Sequence, residues 1–302
     1  MKIDRPSFDL AAYMAERVRA VDQALGRFLP AESAPPETLH KAMRYSVFAG
    51  GKRLRPVLVI AGAEAVGGRP DDVMPTACAV EMIHTYSLIH DDLPAMDNDD
   101  FRRGVPTNHK VFGEAIAILA GDALLTLAFR LLADNVPAGG NEPRLHDVLV
   151  EVANAAGSSG MVGGQVADIE CEGKPADAET VDYIHTHKTA ALIRASIRAG
   201  AVLAGAAPGQ LGALGVAGGA LGLAFQIMDY ILDVTATTEE LGKTAGKDLA
   251  QHKATYPAVH GIEASRRLAQ ALVAEAHAAL EPFGSRAAPL RALGTFIIER
   301  KA

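Results

Sequence analysis

The chain has 302 residues, 49% hydrophobic and 22% charged, with 5% aromatics and no tryptophan, a composition suited to a globular protein with a sizeable core. A net charge of −7 lacks the basic face that broad nucleic-acid binding needs, so no nucleic-acid partner is expected. Cys78 and Cys171 lie outside any CxxC pattern and make no disulfide framework, which fits reduced thiols in a cytoplasmic protein.

Met1 to Leu10 contains Lys2, Asp4, Arg5 and Asp9 and no apolar run, so no signal peptide is expected. Leu10 to Phe28 alternates apolar and charged residues at helical spacing and stops before Pro30. Further helical runs follow over Val57–Val66, Val73–Ile89, Glu114–Ala133, Leu145–Ala156, Asp177–Ala204, Leu211–Val234, Glu263–Leu280 and Pro289–Arg300. Turn signals separate them at Gly67-Gly68-Arg69-Pro70, Pro137-Ala138-Gly139-Gly140, Ala207-Pro208-Gly209 and Pro282-Phe283-Gly284. Strand signals are scarce, and Ala and Leu dominate, which favours close helix packing. The expected architecture is all-α, one domain over residues 1–302, with ten or more helices.

Ala199 to Met228 is free of charge over thirty positions, long enough to cross a bilayer. Its Gly and Ala content and the Pro208-Gly209 break favour two buried segments with a turn between them, so no membrane span is expected.

Two acidic clusters carry the chemistry. Residues 90–104 read HDDLPAMDNDDFRRG and follow an apolar helix. Carboxylates at a helix C-terminus oppose the helix dipole and repel one another unless cations neutralise them. Pro94 should break the helix and let Asp97 turn back toward Asp91 and Asp92. Such a set suits oxygen ligation of a hard cation such as Mg²⁺, with Arg102 and Arg103 placed for phosphate. A solvated acidic loop is the plainer alternative. In the second cluster, Asp229 and Asp233 share a helix face, and Lys243, Lys247, Asp248 and Lys253 follow. Alone, this pair could be an ordinary helix end. If the two helices lie side by side, acids meet at the mouth of an apolar cavity, a site for a substrate with an anionic head and a hydrocarbon tail.

The ordered motifs resemble those of the trans-prenyltransferases, the farnesyl and geranylgeranyl diphosphate synthases. The likeness covers most of the chain, most clearly Tyr45 to Pro257. Gly50-Gly51-Lys52-Arg53-Leu54-Arg55-Pro56 is similar to the isopentenyl diphosphate motif. Asp91-Asp92-(x4)-Asp97 with Arg102-Arg103 resembles the first aspartate-rich motif, in the spacing of bacterial farnesyl and plant geranylgeranyl enzymes. Gly163-Gly164-Gln165, His187-Lys188-Thr189 and Gln226 with Asp229–Asp233 resemble later active-site segments.

The resemblance implies an isoprenoid synthase helical bundle around an apolar cavity, three Mg²⁺ ions and a homodimer. By position, Gly51, Lys52, Arg55, His84 and Arg103 would hold isopentenyl diphosphate. Asp91, Asp92 and Asp97 would bind two ions and Asp229 a third, with Asp233 and Asp248 nearby. Arg102, Lys188, Lys243 and Lys253 would hold the allylic diphosphate, while Thr189 and Gln226 direct oxygen dipoles at the developing cation. One departure stands out: Tyr230 replaces the usual second aspartate. Single residues keep plainer readings: His84 as a core histidine, Thr189 bonding its own helix, Gln165 as a structural amide.

Tyr86 lies five residues before Asp91, about 7.5 Å along a helix. With Ser87 it resembles the floor that stops chain growth at farnesyl diphosphate, which is the expected product. The alternative is geranylgeranyl diphosphate, since Pro106 to Glu114 is similar to plant enzymes of that product. A terpene cyclase would not need Gly51-Lys52-Arg53, and the full set of acids and bases argues against an inactive partner subunit.

Overall fold

A computed structural model describes residues 8–135, 142–174, 177–235 and 255–300, which are almost wholly helical. The helices are α1 (Leu10–Phe28), α2 (Glu37–Val47), α3 (Leu54–Ala65), α4 (Pro70–Asp91), α5 (Asn108–Phe112), α6 (Glu114–Asp134), α7 (Glu142–Ala156), α8 (Met161–Cys171) and α9 (Ala178–His185). A π turn, Thr186–Ala190, joins α9 directly to α10 (Ala191–Leu203). Then come α11 (Pro208–Thr235), α12 (Tyr256–His260), α13 (Ile262–Ala279), a 3₁₀ segment (Glu281–Ala287) and α14 (Ala288–Glu299). A two-residue hairpin, β1 (Phe101–Arg102) and β2 (Val105–Pro106), follows α4.

Local chemistry sets several ends. Asp9 caps α1 by accepting from the Ala12 amide at 2.9 Å, the usual service of an N-cap aspartate. Pro70 was read as a turn residue, but it opens α4 at the first position, where its missing N–H costs nothing. The charge-free stretch is two helices, the end of α10 and most of α11, with Gly205 at φ +84° between them. Both α6 and α11 are long and apolar enough to cross a membrane, and both send residues into the core.

The core has two apolar clusters. One gathers α1, α4, α6 and α7; the other gathers α11, α13 and α14. Helices α3 and α10 feed both, through Ile60 and Leu192 on one side and Leu58 and Ile193 on the other. These two helices touch backbone to backbone: a Cβ on Gly62 would overlap the Ile197 carbonyl, and one on Gly200 the Val59 carbonyl. The all-α expectation holds. The periodicity reading missed α2, α8 and the short α5 and α12, α8 because Gly163 and Gly164 depress helix propensity, and it ran α9 and α10 together across the π turn.

Candidate active site

The first acidic cluster folds as its proline suggests. Helix α4 stops at Asp91, and the chain turns back so that the Asp97 amide donates to the Asp91 carbonyl at 2.8 Å. The hairpin then returns Arg102 to Asp92, its Nε donating to the two carboxylate oxygens at 2.9 and 3.2 Å. Asp92 is only 3% exposed. Asp92 and Arg102 were expected to take metal and diphosphate; the structure joins them to each other, and they border a small side cleft rather than the main cavity. Asp91 does face the main cavity.

That cavity has a volume of about 700 Å³ and receives both acidic helices: Asp91 from α4, and Gln226 and Asp229 from α11. Lys188 and Thr189 reach it from the π turn, a geometry often found at functional sites. The Thr189 hydroxyl donates to Gln226 Oε1 at 2.6 Å, so it bonds across to α11 rather than only within its own helix. Lys188 Nζ pairs with Asp168 Oδ2 at 2.6 Å. Asp168 was not read from the sequence; its signal is its place one turn after Gln165 on α8. Gly164 makes the approach possible, because a Cβ there would overlap the Lys188 backbone. Tyr86, Ser87 and Gln165 also line the cavity, with Leu93, Met161 and Phe225 among its apolar walls.

Basic groups gather at the α3 side. Gly50 and Gly51 take φ of +96° and +131°, values that favour glycine. Arg103 donates to the Gly50 carbonyl, and its guanidinium fills the space a Gly51 side chain would need. Arg53, read in the sequence only as part of the Gly50–Pro56 motif, anchors this loop from below. It is buried against Glu81 and Asp22, both at 2.8 Å, and the Val47 carbonyl at 2.7 Å. Arg55 and His84 line the cavity. Burial, then the guanidiniums of Arg55 and Arg103, push the His84 pKa well below its ordinary value. Burial and Arg300 lower that of Lys52, against the pull of Asp229. Crowded cations of this kind are a site for an anion.

Arg300 donates to Asp229 and stacks over Phe225 at 4.4 Å. Asp233, one turn on, is buried and does not line the cavity. Lys243, Lys247, Asp248 and Lys253 lie outside the described residues.

The residues that face a cation are oxygen donors. Burial raises the Asp91 pKa to about 6, opposed by Lys188 and reinforced by Asp97 and Asp92. Lys188 and Arg102 do not fully offset that burial, and a divalent ion would. Asp91, Asp97 and Asp229 therefore fit Mg²⁺ in chemistry, although among the described residues no three ligands already converge on one point.

The polyprenyl synthetase profile matches residues 36–281. The chain belongs to that family. It is 49% identical over 295 residues to a chloroplastic geranylgeranyl pyrophosphate synthase of Capsicum annuum, covering 97% of this chain and 79% of that one. It is 51% identical over 298 residues to a dimethylallyltranstransferase of Fischerella ambigua, covering 97% and 84%. The crystal structure of a geranylgeranyl pyrophosphate synthetase from Pyrococcus horikoshii superposes with a TM-score of 0.87 at 31% identity, covering 96% and 98%. The family is one of prenyltransferases, so the chain is an enzyme of trans-prenyl synthesis.

Proposed function

We propose that the chain joins isopentenyl diphosphate to an allylic diphosphate and releases a geranylgeranyl-length product. The observation that carries the reaction is the convergence of Asp91 and Asp229 on one cavity whose remaining walls are largely apolar. The product length is carried by the names of the relatives, two of which are geranylgeranyl synthases. Farnesyl diphosphate is the second reading, favoured by the buried Tyr86 ring that lines the same cavity one to two turns from Asp91.

In the reaction, Lys52, Arg55, His84 and Arg103 hold the diphosphate of isopentenyl diphosphate. Lys188, oriented by Asp168, holds that of the allylic substrate. Bound Mg²⁺, three ions by the resemblance, supplies Lewis-acid and electrostatic stabilisation of the departing diphosphate. The allylic C–O bond breaks, and the Thr189 and Gln226 oxygens face the cationic carbon. The isopentenyl double bond donates its electrons to form the new C–C bond, and a proton leaves to the released diphosphate. Leu93, Met161 and Phe225 keep water from the cation.

The enzyme works as a homodimer in the cytoplasm on this reading. The exposed apolar residues Leu119 of α6 and Val150 of α7 support the first; the free thiols of Cys78 and Cys171 support the second. The test is product analysis after incubation with isopentenyl and dimethylallyl diphosphates, with Mg²⁺ and with chelator. A C20 product that vanishes with chelator is expected. A C15 end product would select the farnesyl reading, and chelator-insensitive turnover would refute the metal assignment.

A further inference from the structure

The second acidic motif reads Asp229-Tyr230-Ile231-Leu232-Asp233, with a tyrosine where the resemblance calls for an aspartate. Asp229 faces the cavity. Tyr230, about 100° further round the helix, is only 5% exposed and turns toward α9. Its ring stacks on His185, with centroids 4.9 Å apart and planes 23° from parallel. His185 is 1% exposed and also contacts the Tyr256 ring at 4.9 Å. The Tyr256 hydroxyl in turn donates to Asp182 on α9. His185 is the last residue of α9, and the next residue opens the π turn that carries Lys188 and Thr189. One helical turn before Tyr230, Gln226 receives the Thr189 hydroxyl. Thus α11 is tied to this stretch at two places: a hydrogen bond to the π turn on the cavity side and an aromatic stack on the last residue of α9, just before it.

We propose that Tyr230 is a positioning residue of the transfer site. Through His185 it sets the spacing between the Asp229 wall and the Lys188–Thr189 turn. An aspartate at this position would lose the ring stack on His185 that fixes the spacing. Putting the motif's usual residue back should therefore impair the site. The proposal rests on the reading of the cavity given above.

Three variants test it: Tyr230→Phe, Tyr230→Leu and Tyr230→Asp. Initial rates are measured against isopentenyl diphosphate, allylic diphosphate and Mg²⁺. Tyr230→Phe keeps the stack and should hold kcat and every KM within about twofold. Tyr230→Leu and Tyr230→Asp should lower kcat at least tenfold and raise KM for the allylic substrate. KM for isopentenyl diphosphate should stay within about twofold, because Lys52 lies in the loop before α3, Arg55 on α3 and Arg103 in the hairpin, none of them on the stack. Equal shifts in both KM values would overturn the assignment, and so would a fall in kcat with neither KM altered, the sign of lost folded protein alone. So would Tyr230→Asp with higher turnover or a lower Mg²⁺ requirement, since position 230 would then be a vacated ligand. Thermal unfolding of Tyr230→Leu, His185→Leu and the double variant gives a readout independent of turnover. Non-additive Tm shifts are expected, and additive ones would sink the coupling. A wild type with no prenyl transfer would remove the reading of the cavity, while the unfolding cycle would still decide whether the stack joins α11 to the π turn.

Discussion

Asp91 is held in the structure at a cost that the proposed metal ion would offset. Its folded pKa of about 6 lies above the ordinary carboxylate value, so the folded chain binds the extra proton. Stability of the metal-free protein should then fall as pH rises from about 4 to about 6, and the loss should persist above that. Asp91→Asn removes the titration. At pH 7.5 in chelator we expect its Tm to exceed that of the wild type by a few degrees, from roughly 2 kcal/mol of relieved burial. Its turnover should drop by orders of magnitude. Calorimetry and steady-state rates check the two halves, and a variant of normal activity would contradict the role given to Asp91. At Tyr86 the argument is steric: the ring borders the cavity and meets His90 edge-on at 5.7 Å. Tyr86→Ala should lengthen the product by at least one five-carbon unit, read by chromatography of the dephosphorylated alcohols. An unaltered chain length would place the floor elsewhere. These residues were visible in the sequence because charge or an aromatic ring interrupts an apolar helix. Asp168 was not: it is a charge in a mixed segment, and only the fold shows that it is buried against a partner.

At the scale of elements, the site is built where helices end or lose regularity. Helix α4 ends at Asp91, and the π turn presents Lys188 and Thr189. Helix α8 braces that turn through a glycine contact. Gly164→Ala should force α8 and the π turn apart, because the methyl would meet the Lys188 backbone. We expect KM for the allylic diphosphate to rise more than tenfold, with a smaller change for isopentenyl diphosphate. Equal changes in both would show that the contact serves stability alone. The long amphipathic helices were legible from period alone. Helix α8 and the π turn were not, since both depend on close approach between segments distant in sequence, which no local pattern records.

Across the whole molecule, α3 and α10 form a shared spine between the two apolar clusters, joined where Gly62 and Gly200 let the backbones meet. Gly200→Ala should separate them and lower stability by about 3 kcal/mol or more, seen as a fall in Tm; an unshifted Tm would show that the spine can yield. The spine also has a bearing on the chemistry. Helix α10 is locked into both clusters, and α9 is fixed by its own packing, so the five residues of the π turn must close a gap of set length. Removing one of them would let the segment relax into ordinary α-helix and swing Lys188 and Thr189 about a quarter-turn off the cavity. At that joint the enzyme depends on how many residues there are as much as on which they are.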